Sequence, residues 1–433
     1  VFKVSRSSLY QVTRLGNGVR VATAWMPHLR GVSIGVWTAV GGRHETAQEC
    51  GVAHFLEHLF FKGTRAHTSR ELTQAIEGVG GYLNAYTTED HTCYYAKADA
   101  AHFERSAAVL LEMYLDAQFP EQELEREREV IREEILSVKD NPSQWAEDLL
   151  SESLWPKQPL GRPLTGTLES LQRLERRHML AFRNRHYTGR NTIFTVAGPV
   201  SHDEVLRQVR APLEKLAVGS PSRAQRARPG VAAFCAQEAD TGQSHLALGF
   251  HAFSRNDPRR FALRLLSVLL GENMSSRLFQ TLRERFGYCY SMQSSIASFA
   301  ETGALCIYAD LEASKLAKAM AVIQRECLRF VERVPSAKEV RLAAQYAIGQ
   351  NRVTLDSATQ QACWMAESLM AFGRVVEPAE VERDYFAVQK DGIQSVAKEL
   401  IRFDTAALAL VGGGMEAVAL ERVMGKFGGI LRQ

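Results

Sequence analysis

The sequence predicts an α+β fold of two homologous units of roughly 210 residues, each a mainly antiparallel or mixed sheet with helices packed on one face. Three observations predict it. "YYAKADAAHFERSAAVLLEMYL", from Tyr94, and "CIYADLEASKLAKAMAVIQREC", from Cys306, each read as a strand closing on Ala-Asp and then a long helix, with Asp99 and Asp310 211 residues apart. "FTVAGPVSHDEV" near Phe194 and "LALVGGGMEAV" near Leu408 correspond in the same way, with Gly198 and Gly412 214 apart. In each half the order β, β, α, then β with long helices disfavours a doubly wound parallel sheet.

In chain order, "GVRVATAWM" and "GVSIGVWTAV" are rich in β-branched residues and read as strands. Helices are predicted at Arg70–Val79, Ala101–Asp116 and Glu121–Lys139. "AVGSPSRAQRARPG", residues 217–230, lacks an apolar period and reads as an exposed linker. It separates an N-terminal unit, 1–216, from a C-terminal unit, 231–433. There "SHLALGFHAF" is β-like, and helices are predicted at Arg259–Leu270, Ser275–Phe286 and Leu316–Val331.

At 433 residues the length fits two or three domains. Hydrophobic content of 45% and charged content of 23% suit a globular chain with a sizeable core. A net charge of +3 gives no argument for nucleic acid or an anionic membrane as partner. Seven scattered cysteines without a C-x-x-C argue against a disulfide framework or a cysteine zinc site. No apolar run approaches a membrane span; Leu263–Leu270 and Ala406–Val411 read as core. The chain starts at Val1 rather than Met, so a targeting segment is expected to have been removed or to lie outside the sequence.

"GVAHFLEHLFFKGT", residues 51–64, carries the chemistry. Val52, Phe55, Leu56, Leu59 and Phe60 form a helical apolar face, His54, Glu57, His58 and Phe61 a second one, and Gly63 a stop. Buried imidazole and carboxylate need partners. Histidines at i and i+4 can chelate one zinc ion, and Glu57 is one turn from His54, within reach of a metal-activated water. H-x-x-E-H is the inverzincin signature, the reverse of H-E-x-x-H. The competing reading is two core histidines satisfied by backbone carbonyls, and a third ligand decides between them.

"EQELEREREVIREEILSVKD", residues 121–140, offers that ligand. At roughly 100° per residue Leu124, Ile131, Ile135 and Val138 form the inward stripe, with Val130 on its flank. Glu127 and Glu134 fall inside this arc; Glu125, Glu129 and Glu133 fall outside. Two inward carboxylates are expensive unless a cation compensates. Periodicity alone leaves Glu127 and Glu134 both open as the ligand.

Over most of both halves the sequence resembles the pitrilysin (insulinase) family of zinc peptidases, in the half-length subfamily with mitochondrial processing peptidase and its bacterial relatives. The family's third ligand is a helical glutamate about 75 residues after the motif, which here selects Glu134, 76 residues after His58. The resemblance implies one zinc per chain on His54, His58 and Glu134, Glu57 as general base, and Glu127 near the site without ligating. It implies that Leu83, Asn84, Ala85, Tyr86 and Thr87 form an edge strand that pairs with extended peptide substrate by β-augmentation, with Asn84 and Ala85 nearest the scissile bond.

"LRERFGYCYS", residues 282–291, reads locally as a helix end running into a strand. It matches the family's Arg-x6-Tyr pair, so Arg283 and Tyr290 are implied to bind substrate and stabilise the oxyanion. In the family that pair comes from the half opposite the zinc, within a chamber of four such units. A two-unit chain is therefore expected to act as a dimer, and related subunits favour a distinct sister over an identical partner. Where processing peptidases carry two acidic residues ten and fourteen positions after the third ligand, this chain has Gln144 and Asp148. That speaks against arginine-directed presequence cleavage and for a general oligopeptidase. The alternative function is a non-catalytic core subunit of the same fold, whose ligand set is typically damaged. A bacterial periplasmic or cytoplasmic location is favoured, with the mitochondrial matrix as the alternative.

Overall fold

The computed structural model describes residues 9–231 and 233–413. The first eight residues, and 414–433 with the "GMEAV" end of the second repeat, lie outside the described residues. The elements run β1 (Tyr10–Arg14), β2 (Arg20–Trp25), β3 (Gly31–Thr38), α1 (Val52–Leu59), α2 (Ser69–Glu77), β4 (Tyr82–Thr87), β5 (Thr92–Asp99), α3 (Phe103–Asp116), α4 (Glu121–Asp140) and α5 (Pro142–Leu154). Next come α6 (Leu168–Arg173), α7 (Arg176–His186), β6 (Thr192–Gly198), α8 (His202–Leu213), β7 (Ala233–Glu238), β8 (Gln243–Ala252) and α9 (Arg260–Ser267). The rest are β9 (Cys289–Ser298), β10 (Gly303–Glu312), α10 (Leu316–Glu332), α11 (Ala337–Leu355), α12 (Ala358–Phe372), α13 (Pro378–Ala387), α14 (Lys390–Leu400) and β11 (Ala407–Gly412).

The two sheets share one plan. The first has the order β1-β2-β6-β3-β5-β4, the second β7-β11-β8-β10-β9. β2 is parallel to β6, as β7 is to β11, and the remaining neighbours are antiparallel. Register sharpens the internal repeat. Gly31 pairs with Asp99 and Gln243 with Glu312 at equivalent corners. The structural counterpart of Asp99 is thus Glu312, not Asp310, and each of these two acids precedes the helical turn that opens the next helix. Gly198 and Gly412 also correspond. Both have positive φ, +149° and +141°. A Cβ on either would collide with the adjacent strand, at Gly31 O and Gln243 O respectively.

Each sheet alternates large and small residues, and the two faces take different helices. In the first unit Val21, Ile34, Val36, Ala96, Phe194 and Val196 meet α1, α2, α3, α4, α7 and α8 in one core. The other face presents Ala22, Ala24, Trp37, Cys93 and Ala197 to Ala362, Met365, Ala366 and Leu369 of α12. In the second unit Leu246, Leu248, Leu305, Ile307, Leu408 and Leu410 pack on that half's own helices. Ala247, Ala304, Ala407 and Ala409 receive Ala146, Leu149, Leu150 and Leu154 of α5. A Cβ on Gly249 would sit 3.0 Å from Leu154 Cδ1, so α5 lies close on its sheet.

The helices of each half thus cover one face of its sheet, and a helix arriving from the other half covers the other. By contacts, the first unit comprises the residues up to Ile135, Pro163–Gln225 and Val353–Val376. The second comprises Leu136–Arg162, Arg226–Arg352 and the described residues from Glu377 on.

Two local expectations shift. Val130 is 44% exposed and Val138 only half-buried, so the buried stripe of α4 is Leu124, Glu127, Ile131 and Ile135. The segments expected as plain helices at Arg259–Leu270 and Ser275–Phe286 continue into π-helical turns, Val268–Glu272 and Phe279–Arg285. No helix among the described residues is long and apolar enough to cross a membrane.

Candidate metal centre

α1 is short, and its start is anchored from outside. Gly51 precedes it at φ +89°, where a Cβ would meet Thr165 O at 2.8 Å. The buried carboxylate of Glu45 accepts from Gly51 N–H and Ala53 N–H, each at 2.8 Å. A carboxylate at the positive end of a helix satisfies donors that the helix cannot and favours its dipole. Val52, Phe55, Leu56 and Leu59 are fully buried, which sets the rotation of α1 and leaves His54, Glu57 and His58 on a half-buried strip.

α4 supplies the facing carboxylates. Leu124, Ile131 and Ile135 seat it in the same core. Arg128 ties it to the carbonyls of Leu171 and Leu174 and lies 5.7 Å over the Phe55 ring. Glu134 Oε2 then stands 3.7 Å from His54 Nε2 and 3.6 Å from His58 Nε2. The three donor atoms lie within 4.8 Å of one another. A tetrahedron with metal–ligand bonds near 2.0–2.1 Å has edges of about 3.3 Å, so these separations suit chelation of one ion. Two nitrogens and a carboxylate oxygen are a donor set that zinc accepts.

Glu127 does not join the three. Its Oε2 accepts from His58 Nδ1 at 3.0 Å and its Oε1 from Lys62 Nζ at 2.6 Å. Donation from Nδ1 leaves the Nε2 lone pair of His58 turned to Glu134. Both inward glutamates of α4 are thereby accounted for, in different roles.

Electrostatics follow burial. Burial, with His58 alongside, pushes the His54 imidazole down to about 4, and its Nδ1 is buried without a hydrogen-bond partner. Burial also pulls on His58, but the bond to Glu127 and the surrounding carboxylates outweigh it and raise its affinity for a proton. Glu57 is raised above the usual carboxylate range, chiefly by burial, against the hydrogen bond it accepts from Thr87 Oγ1 at 2.6 Å.

β4 lies at the end of its sheet and pairs only with β5, so its other edge is open among the described residues. Leu83 and Ala85 point into the core, and Thr87, on the same face, reaches Glu57. Tyr82 and Asn84 are exposed. Ala85 N–H is met by Asn84 Oδ1 at 2.8 Å. Arg283 and Tyr290 are in the second unit. Arg283 sits on the π-helical turn Phe279–Arg285, 5.9 Å from the centroid of the 77%-exposed Tyr290 ring at the start of β9. β9 holds the edge position in its sheet that β4 holds in the first. α9, which follows β8 as α1 follows β3, has the sequence RFALRLLS, without histidine or carboxylate. Gln144 and Asp148 are on α5.

Sequence reasoning missed Glu45, Lys62, Arg128 and the link from Thr87 to Glu57. Lys62 had a local signal, one helical turn past His58 on the same side. Glu45 reaches only six and eight residues on, to Gly51 and Ala53, but from a non-helical approach without a period. Arg128 and Thr87 act across 30 or more residues, which leaves no periodic trace.

Known proteins resemble this chain. Residues 20–168 match the family described as Insulinase (Peptidase family M16), and residues 173–346 match Peptidase M16 inactive domain. An uncharacterized zinc protease of Mycobacterium leprae is 38% identical over 74% of this chain and 73% of its own length. An uncharacterized zinc protease of Bacillus subtilis is 31% identical over 91% of this chain and 96% of its own. A protease from Helicobacter pylori has the same fold, with TM-score 0.86 at 20% identity over 93% of this chain and 99% of that one. With an H-x-x-E-H helix and a facing glutamate in the first unit, and neither histidine nor carboxylate on α9 of the second, the chain belongs to the insulinase family of peptidases, peptidase family M16.

Proposed function

We propose that this chain is a zinc-dependent endopeptidase that cleaves extended peptides, with Glu57 as general base. The observation that carries the reading is the convergence of His54 Nε2, His58 Nε2 and Glu134 Oε2, with Glu57 one residue before His58 on the same helix. Zinc bound there would polarise the scissile carbonyl and make water nucleophilic near neutral pH. Glu57 takes a proton from the attacking water and delivers it to the leaving amine. Glu127 fixes the ring of His58, and α4 fixes Glu134.

Substrate would pair with the open edge of β4, at Leu83–Thr87, through main-chain hydrogen bonds. Backbone pairing reads few side chains, so specificity would be broad. Arg283 and Tyr290 would bind substrate and the developing oxyanion in a chamber formed with a second subunit, identical or, as in related assemblies, a distinct sister.

Three experiments test this. Glu57→Gln should retain about one zinc per chain and lose peptide hydrolysis; near wild-type turnover would remove Glu57 as base. His58→Ala and Glu134→Gln should lose zinc, and full occupancy in both would remove the centre. For a homodimer, mixing Glu57→Gln with Tyr290→Phe chains should restore part of the activity. With a distinct sister, Tyr290→Phe in this chain should matter little.

A further inference from the structure

We infer that Thr87 is a positioning residue that couples the edge strand to the general base, so that the strand receiving the peptide also orients Glu57. The inference rests on the endopeptidase reading above and adds to it a specific role for one hydroxyl.

Thr87 is the last residue of β4, paired with Thr92 across the hairpin. Its hydroxyl donates to Glu57 Oε2 at 2.6 Å, a short bond to a half-buried carboxylate. A hydroxyl on an ionised carboxylate gives one of the stronger classes of hydrogen bond and fixes the carboxylate plane. That matters here because Glu57 is a long side chain with three rotatable bonds, and the only hydrogen bond described for its carboxylate is this one. Oε2 is held, and Oε1 is left for the attacking water. A base held in one geometry avoids the entropic cost of finding it in each turnover.

The support for Thr87 is itself rigid. Leu83 and Ala85 of β4 are buried in the core that also holds Phe55 and Leu56 of α1. The turn after β4 is closed by Thr88 N–H to His91 O at 2.8 Å, and by Gly42 N–H to Thr88 O at 3.0 Å. Glu57 is therefore held through a hydroxyl on the strand whose open edge takes the peptide. Pairing of a peptide along β4 would stiffen that edge and with it the hydroxyl. Oriented base and aligned substrate would arise from one event.

The test is Thr87→Val, which keeps the β-branched shape and removes the hydroxyl, with Thr87→Ser, which keeps the hydroxyl. Thr87→Val is expected to retain zinc and the wild-type melting temperature within a few degrees, to lower kcat about 10- to 100-fold and to leave KM within about two-fold. Thr87→Ser should recover most of kcat. A residue serving only strand pairing would move KM, and Ser and Val would then be alike. Thr87→Val at wild-type kcat, or Thr87→Ser as impaired as Thr87→Val, overturns the inference. Should the valine variant fail to fold, Thr87→Ser and Thr87→Ala compared at equal zinc content give the same contrast. The Glu57→Gln control separates failures: if it stays active, the base assignment is lost; if it is inactive while Thr87→Val is fully active, only the role of Thr87 is lost.

Discussion

Glu127 Oε2 holds His58 Nδ1 at 3.0 Å while Lys62 Nζ holds Glu127 Oε1 at 2.6 Å. This chain of contacts sets the ring orientation and tautomer of one histidine of the candidate metal centre without touching the donor triangle. Outer partners of this kind typically contribute 10- to 100-fold to metal affinity. Glu127→Gln, which keeps shape but weakens the acceptor, is expected to lower zinc affinity by about that factor. Competition with a chelator of known affinity measures it, and unchanged affinity would show that His58 is oriented by packing alone.

Glu45 acts on the same helix from its other end. Its two oxygens take Gly51 N–H and Ala53 N–H, and it is only 5% exposed. Glu45→Ala strands two donors at the start of α1 and should destabilise the first unit by about 1–3 kcal/mol. Because His54 is one residue beyond the second donor, zinc affinity should fall as well. Denaturant melts and zinc titration of the same variant read both effects, and an unchanged midpoint would refute the anchoring role.

Acid sensitivity should come from buried and half-buried neutral histidines away from the candidate metal centre. Burial lowers His91 to about 4. Burial, Arg43 and His186 lower His44 to about 3. His186 is pushed to about 4 by burial and Arg185. Arg185 Nε donates to His186 Nε2 at 2.9 Å, which leaves Nδ1 to donate to Ser222 at 2.7 Å, so the ring is held neutral. In the unfolded chain these groups bind protons below about pH 6.5, and in the folded chain only near 3 to 4. The unfolded state thus binds more protons between those values. Stability is full above about pH 6.5 and falls as pH drops towards 4, by up to about 1.4 kcal/mol per unit for each histidine. His186→Gln should flatten that slope by close to one proton, read from denaturant midpoints at pH 7, 6 and 5. An unaltered slope would contradict the assignment.

Local pattern carried the parts of this site that lie on single helices. The faces of α1 and α4 follow from 3.6-residue periodicity, because burial of Val52, Phe55 and Leu56, and of Leu124 and Ile131, fixes each rotation. The same periodicity could not rank Glu127 against Glu134, since residues seven apart share a face. Packing ranks them, by placing one beside His58 Nδ1 and the other beside two Nε2 atoms. The destination of α5 and α12 was also illegible. Their apolar stripes, Ala146, Leu149 and Leu150 and Ala362, Met365 and Ala366, fit any alanine-rich sheet face, and each sheet offers one. The alternation in "RVATAW" and "ALALVG" puts small residues on one face of each strand, and nothing in it says which helix comes.

That exchange makes a prediction about halves of the chain. A fragment of residues 1–225 contains every strand of the first sheet but lacks α12. It would leave Ala22, Ala24, Trp37, Cys93, Ile193 and Ala197 without Met365 and Leu369, which are 0% and 2% exposed in the intact chain. It would also lose the bond from Tyr10 Oη to Gln361 and that from Arg20 to Leu369 O. Truncating a single buried Leu or Met to Ala costs about 2–5 kcal/mol, and a whole domain is stable by only about 5–15 kcal/mol. Losing the entire apolar stripe of α12 should therefore leave the fragment without a cooperative unfolding transition and with an apolar surface that aggregates. Co-expression with residues 226–433 should restore a folded complex, because α12 is then present. In the intact chain Leu369→Ala should lower stability by about 2–5 kcal/mol, and Leu150→Ala, on the equivalent helix of the second unit, by a similar amount. A 1–225 fragment that melts cooperatively as a soluble monomer would show that the borrowed helix is dispensable.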